Sequence, residues 1–228
     1  MRASETARLL LKPLLPPAVR VHEGAIGEIA SQLWPEEKEA VSNAVETRRQ
    51  EFAAGRALAR QALAELGEPD APIPTTPGGR APVWPAGFVG SISHTRDYAA
   101  AAVARADQLG GVGIDLEDWP RLSPRLEPKI LTDGDRRRLK GLAGESRSIA
   151  AAAVFSAKEA FYKLQHPLTS ARLGFQDAEV ELDEGAGAFR LVLLAAAPPF
   201  TAGQAFEGRY AVAGERVATA LWIEPRAQ

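Results

Sequence analysis

The stretch Gly110-Gly111-Val112-Gly113-Ile114-Asp115-Leu116-Glu117 reads as a glycine turn followed by a strand. Residues i and i+2 of a strand face the same side, so Asp115 and Glu117 stand side by side. Two carboxylates that close repel, and exposure, a shared proton or a cation relieves them. An oxygen-only pair suits Mg²⁺, which keeps waters and takes phosphate oxygens. Read alone, the pair also describes two solvated acids at a strand end.

Working outward, Phe88 to Ser93 and Tyr98 to Arg105 are predicted strands joined by a polar turn at His94–Asp97. Before them lies a loop, Glu68 to Gly87, crowded with Pro and Gly but carrying Val83 and Trp84. That content points to an ordered loop that wraps something. Trp34-Pro35-Glu36-Glu37 opens a predicted helix running to Leu66, with Gly67 as its stop and Gly55 interrupting it. Val19 and Val21 mark a short first strand. On the other side, residues 120–131 are irregular, Thr132-Asp133 caps a helix, and a second helix covers Ser148 to Gln165, ending before Pro167. Strands follow over 178–182, 188–193, 209–213 and 217–223. The order predicts an α+β chain of two similar halves, 1–108 and 109–228, meeting near residue 108.

Composition narrows the chemistry. The 228 residues carry 27 basic and 29 acidic side chains and are 46% hydrophobic, which describes a globular chain and not a disordered one. A net charge of −2 argues against a general nucleic-acid coat. With no Cys, disulfides, thiolate catalysis and Cys-ligated metal are excluded. Three histidines (His22, His94, His166) leave little for a multi-histidine site. Leu9–Leu11 and Leu14-Leu15 are interrupted by Lys12, Pro13 and Pro16-Pro17, too short and broken for a span or an export signal. The expected location is the cytoplasm.

Only six basic residues are Lys, and two of them fall in Phe155-Ser156-Ala157-Lys158-Glu159-Ala160-Phe161-Tyr162-Lys163. On a helix Phe155, Glu159 and Lys163 share a face, and Lys is a compact point charge for phosphate. Gly90-Ser91-Ile92-Ser93-His94-Thr95, at a strand end, offers several donors for an anion. Arg48 and Arg56 sit eight residues apart on one side of the first long helix, a pair suited to a phosphate or, equally, to a solvated basic face. Arg121, Arg125 and Arg136-Arg137-Arg138 form a basic stretch.

The Ser-His-Thr segment, the Gly-Ile-Asp-x-Glu strand and the Lys-Glu-Ala-x-x-Lys helix, in this order, resemble the 4′-phosphopantetheinyl transferases. Glu51-Phe52-Ala53-Ala54-Gly55-Arg56 before Leu66-Gly67, Gly79-Arg80-Ala81-Pro82-Val83-Trp84-Pro85, and Leu173-Gly174-Phe175 with Asp177 are similar to the Sfp/EntD-type branch, typified by enterobactin synthase component D. The resemblance implies two α/β halves related by a pseudo-twofold with the active site at their interface. It implies transfer of the phosphopantetheine arm of coenzyme A to a serine of an apo acyl or peptidyl carrier protein, releasing adenosine 3′,5′-bisphosphate.

By the same resemblance Asp115, Glu117 and Glu159 hold Mg²⁺, or Mn²⁺ in its place. Glu159 or a water on the metal is the base, and Lys163 grips the pyrophosphate. Lys158, Ser93 and His94 contact CoA phosphates, Arg48 and Arg56 take its 3′-phosphate, and Gly78, Gly79 and Arg80 close over the nucleotide. Phe155, where many relatives have Trp, joins Phe161 and Tyr162 as core packing. The basic stretch would steer an acidic carrier, and a monomer is expected. Fatty-acid, polyketide, nonribosomal-peptide and siderophore carriers are all candidate substrates. Two other readings use the same residues: an Mg²⁺-dependent CoA or nucleotide phosphohydrolase, and a non-catalytic CoA-binding module.

Overall fold

The computed structural model describes residues 9–77 and 79–225. Strands β1 (Arg20–Ala25), β2 (Phe88–His94) and β3 (Tyr98–Arg105) form an antiparallel sheet in the order β1-β3-β2. Strands β4 (Gly111–Asp118), β5 (Ala178–Asp183), β6 (Ala188–Leu193), β7 (Ala205–Ala213) and β8 (Arg216–Ile223) form a second, ordered β4-β8-β7-β6-β5. A short helix α1 (Pro35–Lys38) precedes α2 (Glu46–Glu65), which covers the first sheet. Two more short helices, α3 (Glu127–Ile130) and α4 (Asp133–Arg138), lead into α5 (Gly144–Thr169), which lies on the second. In each sheet the strand before the long helix pairs with the last strand after it, β1 with β3 and β4 with β8. The architecture is the expected α+β class.

Small side chains set how closely these layers approach. In β3, Ala99, Ala101 and Val103 pack beneath Ala54, Leu58 and Ala62 of α2. The alternate residues Ala100, Ala102 and Ala104 face a core shared with Leu11, Leu14, Ile114 and Leu116, so apolar burial joins the two sheets. Around α5 the packing is aromatic: Phe161 and Phe206 ring centroids lie 4.7 Å apart, and Phe200 meets Phe206 edge-on at 5.2 Å. Phe161 is core as expected, whereas Phe155 and Tyr162 are only half-buried.

Two helices differ from their sequence reading. The single helix expected from Trp34 to Leu66 is broken into α1, a 3₁₀ turn at Glu39–Val41, and α2. Arg49 makes the break tolerable, because its Nε and Nη2 donate to the carbonyls of Val41 and Ser42 at 3.3 and 3.0 Å. Glu37, wholly buried, accepts from Trp34 N–H, Arg60 Nη1 and Ile73 N–H at 3.0, 2.7 and 2.9 Å, fixing α1 against α2 and the following loop. The second long helix starts earlier than expected and runs through Pro167. That proline lies in the last turn, where its missing N–H removes one bond, and Ser170, at φ +56°, closes the end on the His166 carbonyl. Gly55 interrupts nothing; a Cβ there would meet Ile92 of β2 at 2.7 Å, so the glycine is a packing contact.

Gly113 plays the same role at the other helix. A Cβ at this position would collide with the carbonyl oxygen of Ala160, so its absence lets α5 lie directly on β4. Gly113→Ala should cost about 1–3 kcal/mol, the usual range for overpacking. Urea unfolding measures this, and an unchanged midpoint would contradict the close packing.

Candidate active site

The site is built where two sheet edges meet. β2 is an edge of the first sheet and β4 an edge of the second, and unpaired edge N–H groups need partners. Ser91 and Ser93 supply them: their hydroxyls accept from Ile114 N–H and Leu116 N–H, both at 3.1 Å. The twofold period of the strand places both serines toward β4, and their small size permits the approach.

That stitch delivers Ser93 to Asp115. Ser93 donates to Asp115 Oδ1 at 3.0 Å, and Lys163 of α5 donates to the same oxygen at 2.6 Å and to the Ser93 hydroxyl at 2.9 Å. Asp115 Oδ2 accepts from Ser156 at 2.8 Å, and Ser156 in turn bonds Thr219 of β8 at 2.8 Å. Since the one Ser156 proton goes to Asp115, Thr219 is the donor in that second bond. Asp115 is only 3% exposed, so a charged carboxylate is held in the junction by one cation and two hydroxyls.

Glu117, two residues along β4, and Glu159, one helical turn before Lys163, complete an acidic group. Burial, then Asp115, pushes Glu117 up to about 8, with Glu159 and Asp118 adding to the rise and Lys163 opposing it. Glu159 is likewise held above the usual carboxylate range by burial and by Asp115, again against Lys163. Among the described residues no three acidic or histidine side chains form a closed cation cluster. By donor chemistry the set nonetheless suits a hard divalent cation: three coupled carboxylates, oxygen ligands only, whose raised values a bound cation would bring down.

A second polar group continues from the end of β2. Arg48 Nη1 contacts both His94 Nε2 and, at 3.2 Å, Glu51, and Glu51 lies 3.5 Å from His94 Nδ1. Burial, then the Arg48 charge, lowers the His94 pKa, against the pull of Glu51. Ser93, Asp115 and Lys163 thus form one contact network, and Arg48, His94 and Glu51 form a second that starts at the next residue of β2 and feels the Lys163 charge. Arg56 is different: it is buried, its Nε donates to the Ile73 carbonyl at 2.7 Å, and its guanidinium stacks on Phe52 at 4.2 Å. Its Nη2 is buried without a partner, and burial lowers its pKa to about 10.

Lys158 departs from the expectation that it grips a CoA phosphate. Its ammonium donates to Ile130 O, Asp135 Oδ2 and Phe175 O at 2.8, 2.6 and 2.7 Å, which uses all three N–H groups inside the protein. Adjacent helix positions do not share a face, so Glu159 and Lys158 point different ways. Gly79 and Arg80 sit on an exposed turn closed by Gly79 N–H to Thr76 O, outside the Asp115 network. Gly78 lies outside the described residues. Trp84 of the same loop packs over Gly90, which anchors the loop on β2.

A cleft of about 280 Å³ opens beside Glu159, lined by Tyr162, Arg172, Leu173 and Phe175, with the largely buried Lys158 at its floor. Ser156, Thr219, Ser91 and Glu51 were not singled out from the sequence. Ser156 stood inside the Phe155–Lys163 segment; Thr219 carries no local signal, because only strand pairing sets it opposite Asp115. Along the basic stretch, Arg136 and Arg138 pair with Asp133 and Glu179 at 2.6 and 3.1 Å, while Arg125 and Arg137 are exposed.

Comparison with known proteins defines the class. The family model for the 4′-phosphopantetheinyl transferase N-terminal domain matches residues 36–104, and the model for the 4′-phosphopantetheinyl transferase superfamily matches residues 111–214. The chain belongs to the 4′-phosphopantetheinyl transferase superfamily, and it is an enzyme of that class. It is 40% identical over 197 residues to the 4′-phosphopantetheinyl transferase Svp of Streptomyces mobaraensis, covering 85% of this chain and 79% of that one. It is 36% identical over 198 residues to Npt of Nocardia iowensis, covering 82% and 87%. Enterobactin synthase component D of Escherichia coli (strain K12) is 35% identical over 150 residues, covering 65% and 68%.

Two outcomes follow from the junction. Ser91→Ala and Ser93→Ala each orphan a β4 N–H and should each cost about 1–3 kcal/mol, but only Ser93→Ala should weaken CoA binding. Equal effects of the two on CoA affinity, read by calorimetry, would contradict the Ser93–Asp115 link. The second concerns pH. Glu117 has its folded value near 8 against an ordinary 4.5, so folding takes up a proton between those values. The resulting cost is absent below about 4.5 and complete above about 8, so chelator-treated protein should lose Tm across that window. Glu117→Gln should flatten that fall, and an unchanged slope would contradict the assignment.

Proposed function

We propose that the protein moves the phosphopantetheine arm of coenzyme A onto a serine hydroxyl of an apo acyl or peptidyl carrier protein, releasing adenosine 3′,5′-bisphosphate. The observation that carries this reading is the Asp115 junction, where Ser93 and Lys163 bind one buried carboxylate oxygen and the charge of Asp115 raises Glu117 and Glu159. Asp115, Glu117 and Glu159 would hold Mg²⁺, whose charge, when bound, offsets the negative charge that builds on the leaving phosphate.

The chain's own residues do the rest. Lys163 faces the same acidic group and supplies a point charge for the pyrophosphate. His94 and Arg48 present donors at the end of β2 for a further phosphate. Arg56 is held inside the protein on the Ile73 carbonyl and the Phe52 ring. The cleft between Glu159 and Phe175 is lined with apolar and polar walls of a size that accepts the extended pantetheine arm. Glu159, held above the ordinary carboxylate range, is suited to take the proton from the incoming serine as its oxygen attacks phosphorus and the bond to the adenosine bisphosphate breaks. The exposed Arg121, Arg125 and Arg137 suit an acidic carrier. Among the described residues no helix is long and apolar enough to cross a membrane; we place the enzyme in the cytoplasm, as a monomer whose halves 1–108 and 109–228 share the site.

The test is to incubate the protein with CoA, Mg²⁺ and an apo carrier, then weigh the carrier. A gain matching the phosphopantetheine arm is expected, with Asp115→Ala and Glu159→Ala lowering the rate at least 10³-fold, in the range of lost acid–base and electrostatic catalysis. CoA breakdown with no carrier gain would point to hydrolysis instead, and wild-type rates in both variants would remove the carboxylate assignment.

A further inference from the structure

We propose that Lys158 and Asp135 are positioning residues, a buried ion pair that fastens the basic segment 119–140 to the catalytic helix beside Glu159 and takes no part in gripping CoA. The proposal rests on the reading of that basic segment as the carrier-facing surface.

The pair is sealed at both ends. Neither side chain is more than 3% exposed. Lys158 places its three protons on Asp135, on the Ile130 carbonyl at the end of α3, and on the Phe175 carbonyl ahead of β5. Asp135 Oδ2 also accepts from Thr132 N–H at 2.9 Å, and its Oδ1 accepts from Val180 N–H at 2.8 Å. One residue of α5 therefore ties together α3, α4 and the start of β5, with all three ammonium protons and both carboxylate oxygens of the pair in use.

The neighbours are arranged around this tie. Thr132 caps α4, accepting from Asp135 N–H at 3.1 Å, and also donates to Glu179 at 3.1 Å. Gly134 has no Cβ, which leaves room for the Glu179 carboxylate over the start of α4. Arg147 of α5 reinforces the same segment, donating to Glu127 at 2.7 Å and to the Leu139 carbonyl at 3.1 Å.

The consequence is a division of labour between adjacent residues. Lys158 faces inward and fixes the segment, while Glu159, about 100° around the helix, faces the acidic site. The segment's outer side carries exposed Arg121, Arg125, Lys129 and Arg137. A carrier seated on those charges has its distance to Glu159 set by the Lys158–Asp135 tie.

The discriminating variants are Lys158→Met, Asp135→Asn and the charge-free double variant Lys158→Met/Asp135→Leu. Removing one partner strands a buried charge, so the single variants should melt lower than the double one; if they fail to fold, the double variant carries the test. In the double variant the CoA dissociation constant, by calorimetry, should stay within about twofold of wild type. The KM for apo carrier should rise at least about tenfold, with kcat falling less. A tenfold or greater loss of CoA affinity with a native circular-dichroism spectrum would overturn the proposal, as would an unchanged carrier KM. Failure of the wild-type protein to modify any carrier would instead strike the functional reading. Calorimetric CoA affinity reads the Lys158 assignment independently of turnover.

Discussion

A carboxylate buried between two sheet edges is the constraint from which most of the molecule follows. Asp115 cannot stand charged in that junction unless its oxygens are satisfied, because an uncompensated buried ion costs several kcal/mol. Lys163 must therefore reach it from α5, Ser93 from β2 and Ser156 from the helix face above. Each requirement fixes a layer spacing. Gly113 lets α5 descend onto β4, the serines let β2 come beside it, and the alanines of β3 let α2 and the shared core close on both sides. Small residues are placed wherever the site needs elements close together.

The same arrangement leaves charge over. Lys163 balances roughly one of three carboxylates, and burial with mutual repulsion raises both Glu117 and Glu159. An apolar junction would have no use for such a surplus, whereas a divalent cation would offset it and in turn offer its remaining positions to phosphate oxygens. Positive charge elsewhere is sorted by purpose. Arg48 stands with His94 at the end of β2, Lys158 is sealed into a structural pair, and Arg125 and Arg137 remain in solvent.

The sequence carried the core of this account because strand alternation and helix spacing are local. Asp115 with Glu117, and Glu159 with Lys163, followed from periods of two and four, and the strand positions held to within a few residues. What failed depended on contacts distant in sequence. The helix expected from Trp34 to Leu66 looked continuous, since nothing local reveals that Glu37 would be captured by Ile73 and Arg60, or that Arg49 would serve the broken carbonyls. Lys158 reads as a phosphate ligand because Lys is scarce in this chain and is a compact point charge within the family motif. Its true partner Asp135 lies 23 residues away, in a stretch that reads as an ordinary capped helix. Thr219 was invisible for the same reason, since only the pairing of β4 with β8 brings it to Ser156.

The most direct measurement is a calorimetric titration of CoA with Mg²⁺ present and with a chelator present, on wild type and on Glu117→Gln. A junction whose surplus carboxylates await a cation predicts CoA binding at least about tenfold tighter with Mg²⁺, a difference of about 1.4 kcal/mol. Most of that gain should be lost in Glu117→Gln. Equal CoA affinity with and without the cation in wild type would contradict the account.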